Sequence, residues 1–365
     1  MTTTELTREQ DADRRIAAAA VTGFIADVLA AAGLPPEDAA RVAGLMTEAD
    51  LTGADAHGIF RLPQYVRRIR AGGFNPRPRI TVETTAAATA IVDGDNGMGH
   101  LAVSRAAETA IELARTAGVA WVGVRRSNHA GTAGLYAAIP VAHGMIGLYA
   151  AVANANHMAV WGGTELLLGT NPLGIAVPSG DGPVVLDMAT TVVSYGTVKK
   201  YALAGHEMPE GWLVDAATGG PLTDPRRGAE GLLLPIGGYK GSGLAIMLGL
   251  LAGTLNGAAF GRDVIDFNYN QGDATNTGQF VVAIDVARFV PLASFTAETD
   301  RHLADLRASA RLPGVPEIRL PGDRRRACRH ERLRDGIPLP AALMAQLDTL
   351  AGDLRIAALG TRGTP

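Results

Sequence analysis

The sequence predicts a mixed α/β (α+β) protein with a helical N-terminal region. Three observations predict it. Short apolar runs at 119–124, 145–152 and 183–186 have the length of buried strands and end at polar or glycine-bearing turns. Between them lie longer stretches with helical spacing and many small residues, about 101–116 and 242–255. Strands and helices interleave along the chain instead of falling into separate halves, which is the order of a layered α/β or α+β protein.

Taken in order, residues 14–51 carry a helical pattern that breaks at Ala32-Gly33-Leu34 and restarts at Pro35-Pro36, because proline suits the first turn of a helix. A polar turn, Asp50 to Gly58, leads to a third helix over 61–70, closed by Gly72-Gly73. Residues 80–93 alternate and read as hairpin strands; the helix over 101–116 then feeds the strand at 119–124. Helix and strand alternate to residue 186, and a helix is expected to open at Met188-Ala189-Thr190-Thr191. A loop-rich excursion, 204–235, precedes the small-residue helix, a strand at 279–285 and a final helical region. The arginine-rich stretch 324–334 is expected to be a solvated loop and helix face.

Composition excludes several classes of function. At 365 residues with 47% hydrophobic and 19% charged residues, the chain can bury large cores and is not a disordered segment. A net charge of -3 argues against nucleic acid or an anionic membrane as partner. One cysteine, Cys328, rules out an internal disulfide and a cysteine metal cluster. No His/Asp/Glu spacing suits a metal, so none is expected. The apolar run 244–253 is short and glycine-rich for a membrane span. The first residues are polar, with Glu5, Glu9, Asp11 and Asp13, and do not read as a signal peptide. The expected location is the cytoplasm.

The chemistry-bearing residues stand at strand and helix ends. His129 lies in Ser127-Asn128-His129-Ala130-Gly131, directly after an apolar strand. Open sheets bind ligands at that edge, and imidazole can give or take a proton near neutral pH. A turn histidine held by local hydrogen bonds is the plainer reading. His57 and Arg61 are four residues apart, a spacing that shares one face of a helix, and the planar arginine fork suits a carboxylate. A capping histidine beside a surface arginine fits the same residues. Asp187 ends another apolar run, where a carboxylate can hold a ribose hydroxyl, orient an imidazole or cap a helix. In Gly237-Gly238-Tyr239-Lys240-Gly241-Ser242-Gly243, glycines can turn amides toward an anion while Lys240 adds a charge, although a plain glycine turn reads similarly.

The string Gly97-Met98-Gly99-His100-Leu101-Ala102 matches the loose form of a dinucleotide loop. No clear parallel βαβ unit with an acidic residue closing its second strand is apparent, so it is not expected to bind a dinucleotide. Gly99→Ala is accordingly expected to leave cofactor affinity unchanged in a folded protein.

Together these strings resemble the malate/L-lactate dehydrogenase family, which lacks a Rossmann fold and includes ureidoglycolate and sulfolactate dehydrogenases, diketogulonate reductase and cyclic imino-acid reductases. The resemblance is carried by Ala54-Asp55-Ala56-His57-Gly58-Ile59-Phe60-Arg61-Leu62-Pro63, Ser127-Asn128-His129-Ala130-Gly131, Trp161-Gly162-Gly163 and Gly169-Thr170-Asn171-Pro172-Leu173. It continues through Val185-Leu186-Asp187-Met188-Ala189-Thr190, Met208-Pro209-Glu210-Gly211-Trp212, Gly238-Tyr239-Lys240-Gly241-Ser242-Gly243, Asn276-Thr277-Gly278-Gln279 and Ile318-Arg319-Leu320-Pro321-Gly322. It spans about 15–345.

The resemblance implies a non-Rossmann, homodimeric oxidoreductase using NAD or NADP on a small 2-hydroxy or 2-oxo acid. It implies His129 and His57 as catalytic, Arg61 and Asn154 as substrate-binding, and Asp187, Met188, Ala189 and Lys240 as cofactor-binding. It divides the chain into a helical region (1–75), a dimerisation and substrate region (76–120 with 286–365) and a cofactor-binding domain (121–285). Two positions depart from the pattern: Ala56 stands where a serine is usual, and His157 where proline or a small residue is common. Two rivals remain. One is a reductase of cyclic 2-imino acids; the other is a hydrolase built on Ser127, His129 and Asp187, which lacks a G-x-S-x-G elbow.

Overall fold

The chain divides into two compact units, Met1–Arg77 with Gly322–Pro365 and Pro78–Pro321. The computed structural model describes residues 14–362, so the polar stretch read as no signal peptide lies outside the described residues.

The first unit is helical, with one small sheet. Residues Arg14–Ile16 (β1) pair antiparallel with Ile337–Leu339 (β13), Ile16 lying opposite Ile337. This corrects the expectation that the helical pattern starts at residue 14: Ile16 is fully buried in a strand, and the helix begins two residues later. Helix α1 (Ala18–Ala31) buries Val21, Phe24, Ile25, Val28 and Leu29, an i, i+3, i+4, i+7, i+8 stripe that faces a core. Helix α2 (Pro36–Leu51) starts on proline with Glu37 and Asp38 in its first turn, where carboxylates offset the helix dipole. Helix α3 spans Leu62–Arg70.

Near the other terminus, α9 (Asp323–Asp335) is an arginine-rich helix, followed by α10 (Ala341–Leu354), which buries Leu343, Met344, Leu347 and Leu350. The arginines of α9 are not simply solvated. Arg329 pairs with Glu48 at 2.8 Å, Arg325 donates to Thr52 at 3.2 Å, and Arg332 donates to Asp50 O and Asp55. They clamp the end of α2 and the turn after it.

The second unit is built on a seven-stranded sheet of order β2-β3-β4-β12-β5-β8-β9. Its strands are Thr81–Ala86 (β2), Thr89–Asp93 (β3), Val119–Ser127 (β4), Met145–Ala151 (β5), Leu173–Val177 (β8), Val184–Met188 (β9) and Thr277–Asp285 (β12). Two short hairpins lie outside it: Met158–Ala159 (β6) with Leu166–Leu168 (β7), and Leu213–Asp215 (β10) with Gly231–Leu233 (β11). Every neighbouring pair in the large sheet is antiparallel except β3 and β4. A doubly wound nucleotide fold is all or mostly parallel, so this sheet is of another kind.

Strand β12 is central and buried from residue 277 to 283, so its apolar part, Phe280 to Ala283, runs on without alternation. On one face, Phe280 and Val282 meet Leu248 and Ala252 of helix α7 (Tyr239–Ala252), with Trp121 stacked on Phe280 at 4.1 Å. Helix α4 (Gly99–Ala117) packs across β4 and β12 through small residues, including Ala102, Ala106, Ala110 and Ala114. Helix α5 (Ala133–Ala138) lies over β5 and β8.

Two expectations change here. The strand–helix–strand β3-α4-β4 is a parallel βαβ unit, and Gly97 and Gly99 do sit at its turn. Sequence inspection missed it because β3 is short, reads as part of a hairpin, and pairs with a strand beyond the helix. Its second strand nevertheless ends in Arg125-Arg126-Ser127, with no acidic residue to hold a ribose. The helix expected at Met188 also does not form. The β-branched run Thr190-Thr191-Val192-Val193 stays extended, and α6 (Tyr195–Ala204) starts only after Ser194, whose hydroxyl caps it by accepting from Thr197 N–H at 3.2 Å. Helix α8 (Leu292–Ala308), the expected final helical region of this unit, buries none of its residues. Among the described residues, no helix is long and apolar enough to cross a membrane.

Candidate active site

The site is organised where β4 leaves the sheet. After Val124 the strand carries Arg125 and Arg126, and Arg126 takes a left-handed conformation (φ 47). Its N–H donates to Asn276 Oδ1 at 2.8 Å, and its guanidinium pairs with Asp95 at 2.8 Å and Asp93 at 3.2 Å. Asp95 (φ 47), Asn96 (φ 56) and Asn276 (φ 44) share the left-handed region. Such backbones are costly for residues other than glycine and persist where the surroundings impose them, often at functional sites.

What they surround is Asn128, fully buried. Its Nδ2 faces Asn96 Oδ1 (2.9 Å), Asn96 O (3.1 Å) and Gly97 O (2.9 Å), and its Oδ1 accepts from Thr275 Oγ1 at 2.8 Å. Gln279 Nε2 donates to its backbone oxygen at 2.8 Å. Gly99 makes this possible. A Cβ there would stand 2.1 Å from Asn128 O and 2.8 Å from His129 O, so only glycine lets α4 begin this close. The glycine is needed to seat the histidine loop, so a methyl at Gly99 acts on folding, separately from the expected lack of effect on cofactor affinity.

His129 follows Asn128 and is partly buried. Gly131 N–H approaches its Nδ1 at 3.4 Å, and the Phe267 ring lies 5.6 Å away at a 30° tilt. Another histidine of this region, His100, is buried in the first turn of α4, and burial pushes it down to about 3. It stays neutral through the physiological range. Ser127 is also fully buried, with its hydroxyl 3.5 Å from Asn128 O, which does not suit a nucleophile.

Asn154 comes to the same place. Its backbone oxygen accepts from Phe267 N–H at 2.8 Å and its Nδ2 donates to Thr277 Oγ1 at 2.5 Å. Asp187 sits near the end of β9, and its Oδ2 accepts from Gly134 N–H at 2.9 Å. It thereby caps α5, the short helix that leaves the His129 loop, and its charge adds to burial in raising the Tyr149 hydroxyl.

Beyond Asp187, Met188 pairs with Leu173, and Ala189 leads into Thr190, which is fully buried and donates from both N–H and Oγ1 to Thr170 O. Thr190 O in turn accepts from Ile236 N–H at 2.9 Å, and Thr191 bridges Pro235. The Met188-Ala189 end of β9 is therefore joined directly to the Lys240 loop.

That loop differs in detail from its expected form. The helix starts at Tyr239, three residues before Ser242, and Ser242 Oγ accepts from Trp161 N–H at 3.0 Å. The amides of Lys240, Gly241 and Ser242 point back to Gly237, Ile236 and Gly238 oxygens. They are used inside the loop, and Lys240 itself is exposed. Gly238 is left-handed (φ 64), and a Cβ on it would meet the Trp161 ring at 3.2 Å. Tyr239 and Trp161 are 66% and 56% exposed, so an aromatic-walled, cationic surface faces outward here. Its chemistry fits a dinucleotide, which combines stacking rings with phosphate.

His57 and Arg61 belong to the first unit. They do not share one helical face: His57 ends a 3₁₀ turn (Asp55–His57), Gly58 breaks it, and Arg61 ends a second one (Ile59–Arg61). Buried Asp50 forces the break by accepting Ile59 N–H at 2.9 Å, in space a Cβ at Gly58 would fill. The two residues are still tied, because Arg61 Nε donates to Ala56 O at 2.8 Å and Arg61 Nη1 to Gln64 Oε1 at 2.8 Å. Burial lowers the Arg61 pKa without threatening its charge.

Comparison with known proteins agrees with the architecture and the motifs. Residues 16–348 match the malate/L-lactate dehydrogenase family. The chain belongs to that family. It is 36% identical to a malate dehydrogenase of Pyrococcus abyssi over 90% of this chain and 91% of the relative. It is 36% identical to an NAD(+) ureidoglycolate dehydrogenase of Escherichia coli O157:H7 over 82% and 85%. The solved malate dehydrogenase of Pyrococcus horikoshii superposes with TM-score 0.87 at 32% identity, covering 95% of this chain and 97% of that one. The protein is thus an NAD(P)-dependent dehydrogenase of the 2-hydroxy acid class; members of the malate/L-lactate dehydrogenase family are named for NAD(+) or NADP(+).

Some residues of the site carried little signal in the sequence. Phe267 stands in an irregular stretch, and nothing local marks its contact with His129. Thr275 precedes a quoted motif and Thr277 lies within it, but their role depends on β12 pairing with β4, 150 residues away for Asn276 and Arg126.

Proposed function

We propose that the protein interconverts a small 2-hydroxy acid, of the malate, lactate or ureidoglycolate kind, and its 2-oxo acid. The observation that carries this reading is Arg61. Two of its five N–H donors are engaged by neutral oxygens, and among the described residues no carboxylate pairs with it. A desolvated guanidinium without a counter-charge favours an anionic ligand, and a planar carboxylate matches its remaining fork.

In this reading Arg61 holds the substrate carboxylate, and His57 stands beside it on the preceding 3₁₀ turn. The His129 ring takes the hydroxyl proton during oxidation and returns it during reduction. Asn128, fixed by three oxygens, sets the loop from which His129 works. Positioning and acid–base transfer lower the barrier by at most roughly 7–11 and 3–5 kcal/mol. The nicotinamide, when bound, supplies the hydride donor or acceptor. Asp187, Met188, Ala189 and Lys240 would hold the dinucleotide within the domain 121–285, on the surface where β9 meets the Lys240 loop.

The homodimer belongs to the same proposal. Support comes from Met247 (54% exposed) and Leu250 on the outer face of α7, and from α8, which buries nothing within the chain. Sedimentation would give a monomer mass if this part is wrong.

The substrate class is tested by mixing the protein with each reduced cofactor and a panel of 2-oxo acids and cyclic 2-imino acids, following nicotinamide fluorescence. A 2-oxo acid should be the best substrate; turnover of cyclic imines alone would transfer the chain to the imine reductases.

A paired titration tests the cofactor surface. Lys240→Ala removes one charge-assisted contact, so the Kd for reduced cofactor should rise roughly 10- to 150-fold. Gly99→Ala should instead lower folding stability by about 1–3 kcal/mol, because the new Cβ overpacks the Asn128 loop. Loss of cofactor affinity at Gly99 with none at Lys240, in folded proteins, would move the dinucleotide to the β3-α4 turn.

A further inference from the structure

Polar side chains beside His129 fix one another's orientation in sequence, and the order has a direction. Asn128 is the anchor. Its Nδ2 faces three oxygens at 2.9, 3.1 and 2.9 Å, two of them backbone carbonyls that can only accept. The amide cannot be reversed, so the group facing Thr275 Oγ1 at 2.8 Å is Asn128 Oδ1. The Thr275 hydroxyl has one hydrogen, and the oxygens it meets there, Asn128 Oδ1 and Ser127 O at 3.2 Å, are both pure acceptors. Toward Thr277 Oγ1, 2.9 Å away, Thr275 is left as the acceptor, and Thr277 directs its own hydrogen to it. Thr277 then presents a lone pair to Asn154, and Asn154 Nδ2 meets it at 2.5 Å. Asn128, Thr275 and Thr277 are buried, where a reversed link would set two lone pairs face to face.

From this relay we infer that Asn154 is locked with its Oδ1 turned to the ligand, as an acceptor that reads an N–H or O–H donor and not a carboxylate. Among the described residues none donates to that oxygen. Its position suits the task, since Asn154 O holds the Phe267 backbone and the Phe267 ring lies 5.6 Å from that of His129. The inference rests on the function proposed above, which offers two donors near His129: the carboxamide N–H of the nicotinamide and the hydroxyl of the 2-hydroxy acid. The 2-oxo acid anion has no donor to offer. Thr275 and Thr277 are positioning residues that act through Asn154.

Calorimetric binding separates the cases. Titrate wild type and Asn154→Ala with the nicotinamide cofactor and with its acetylpyridine analogue, which keeps the carbonyl but lacks the N–H. Then titrate the two dead-end complexes, 2-hydroxy acid on reduced cofactor and 2-oxo acid on oxidised cofactor. If the carboxamide is the donor, wild type should prefer nicotinamide by about 2- to 12-fold, the size of one neutral hydrogen bond, and Asn154→Ala should lose that preference. If the substrate hydroxyl is the donor, Asn154→Ala should weaken the 2-hydroxy acid by a similar factor and spare the 2-oxo acid. In either case Thr277→Val should reproduce the loss by freeing the amide to turn, and Thr277→Ser should restore it. Equal weakening of both acids by Asn154→Ala would mean a carboxylate contact through Nδ2 and would overturn the inference. So would wild-type behaviour of Thr277→Val or of Asn154→Ala. A wild-type protein that binds no nicotinamide cofactor would instead refute the proposed function itself.

Discussion

His129→Gln should lower turnover at saturating substrate by roughly 10²- to 10⁴-fold while cofactor affinity stays within a few-fold of wild type, the range that general acid–base catalysis supplies. Glutamine keeps a polar side chain of similar reach but cannot cycle a proton. The loop should survive the change, because its anchors are Asn128, Gln279 and the backbone, and not the imidazole. Near-normal turnover in a folded His129→Gln protein would leave the ring as a packing partner of Phe267.

Arg61→Lys should reduce kcat/KM for a 2-oxo acid by roughly 10- to 150-fold, equivalent to one lost charge-assisted hydrogen bond. Charge is retained, so an electrostatic attractor alone would predict little change; the loss reports the planar fork. Arg61→Ala should be worse, at about 2–5 kcal/mol, because the substrate carboxylate is then desolvated without a partner. The cofactor Kd measured without substrate separates this from misfolding and should not move. Unchanged kcat/KM across the acid panel for the lysine variant would place the carboxylate anchor elsewhere.

Much of the second unit was legible because its signals are local. The apolar run before Ser127 became β4, the run at 145–152 became β5 with one residue fewer, and the helix at 101–116 gained a turn's fraction at its start. His129 was found at a strand's end for the same reason. The misses all depend on distant partners. Residues 14–16 look helical by spacing and become strand only because 337–339 lie beside them. Thr190 resembles a helix start until Thr170 O and Ile236 N–H hold it extended. His57 and Arg61 have helical spacing, yet a buried Asp50 nine residues before Ile59 breaks the helix between them. The arginines of α9 read as a solvated face because their partners, Glu48, Thr52 and Asp55, are far away in sequence. The polar relay is the extreme case: each member is an ordinary Asn or Thr, and it takes the pairing of β12 with β4 on one side and β5 on the other to bring them together.

In the proposed reaction one imidazole, on His129, carries the substrate proton in both directions. The pH dependence of kcat/KM tests it most directly, measured for oxidation of the 2-hydroxy acid and for reduction of the 2-oxo acid by the same protein. Oxidation needs a ring free to accept, so its rate should fall as the medium becomes more acidic. Reduction needs a ring with a proton to give, so its rate should fall as the medium becomes more alkaline. The two limbs should bend at a common pH for the free enzyme, and both bends should vanish in the residual activity of His129→Gln. Profiles that bend the same way in both directions, or that keep their bends in His129→Gln, would contradict the claim.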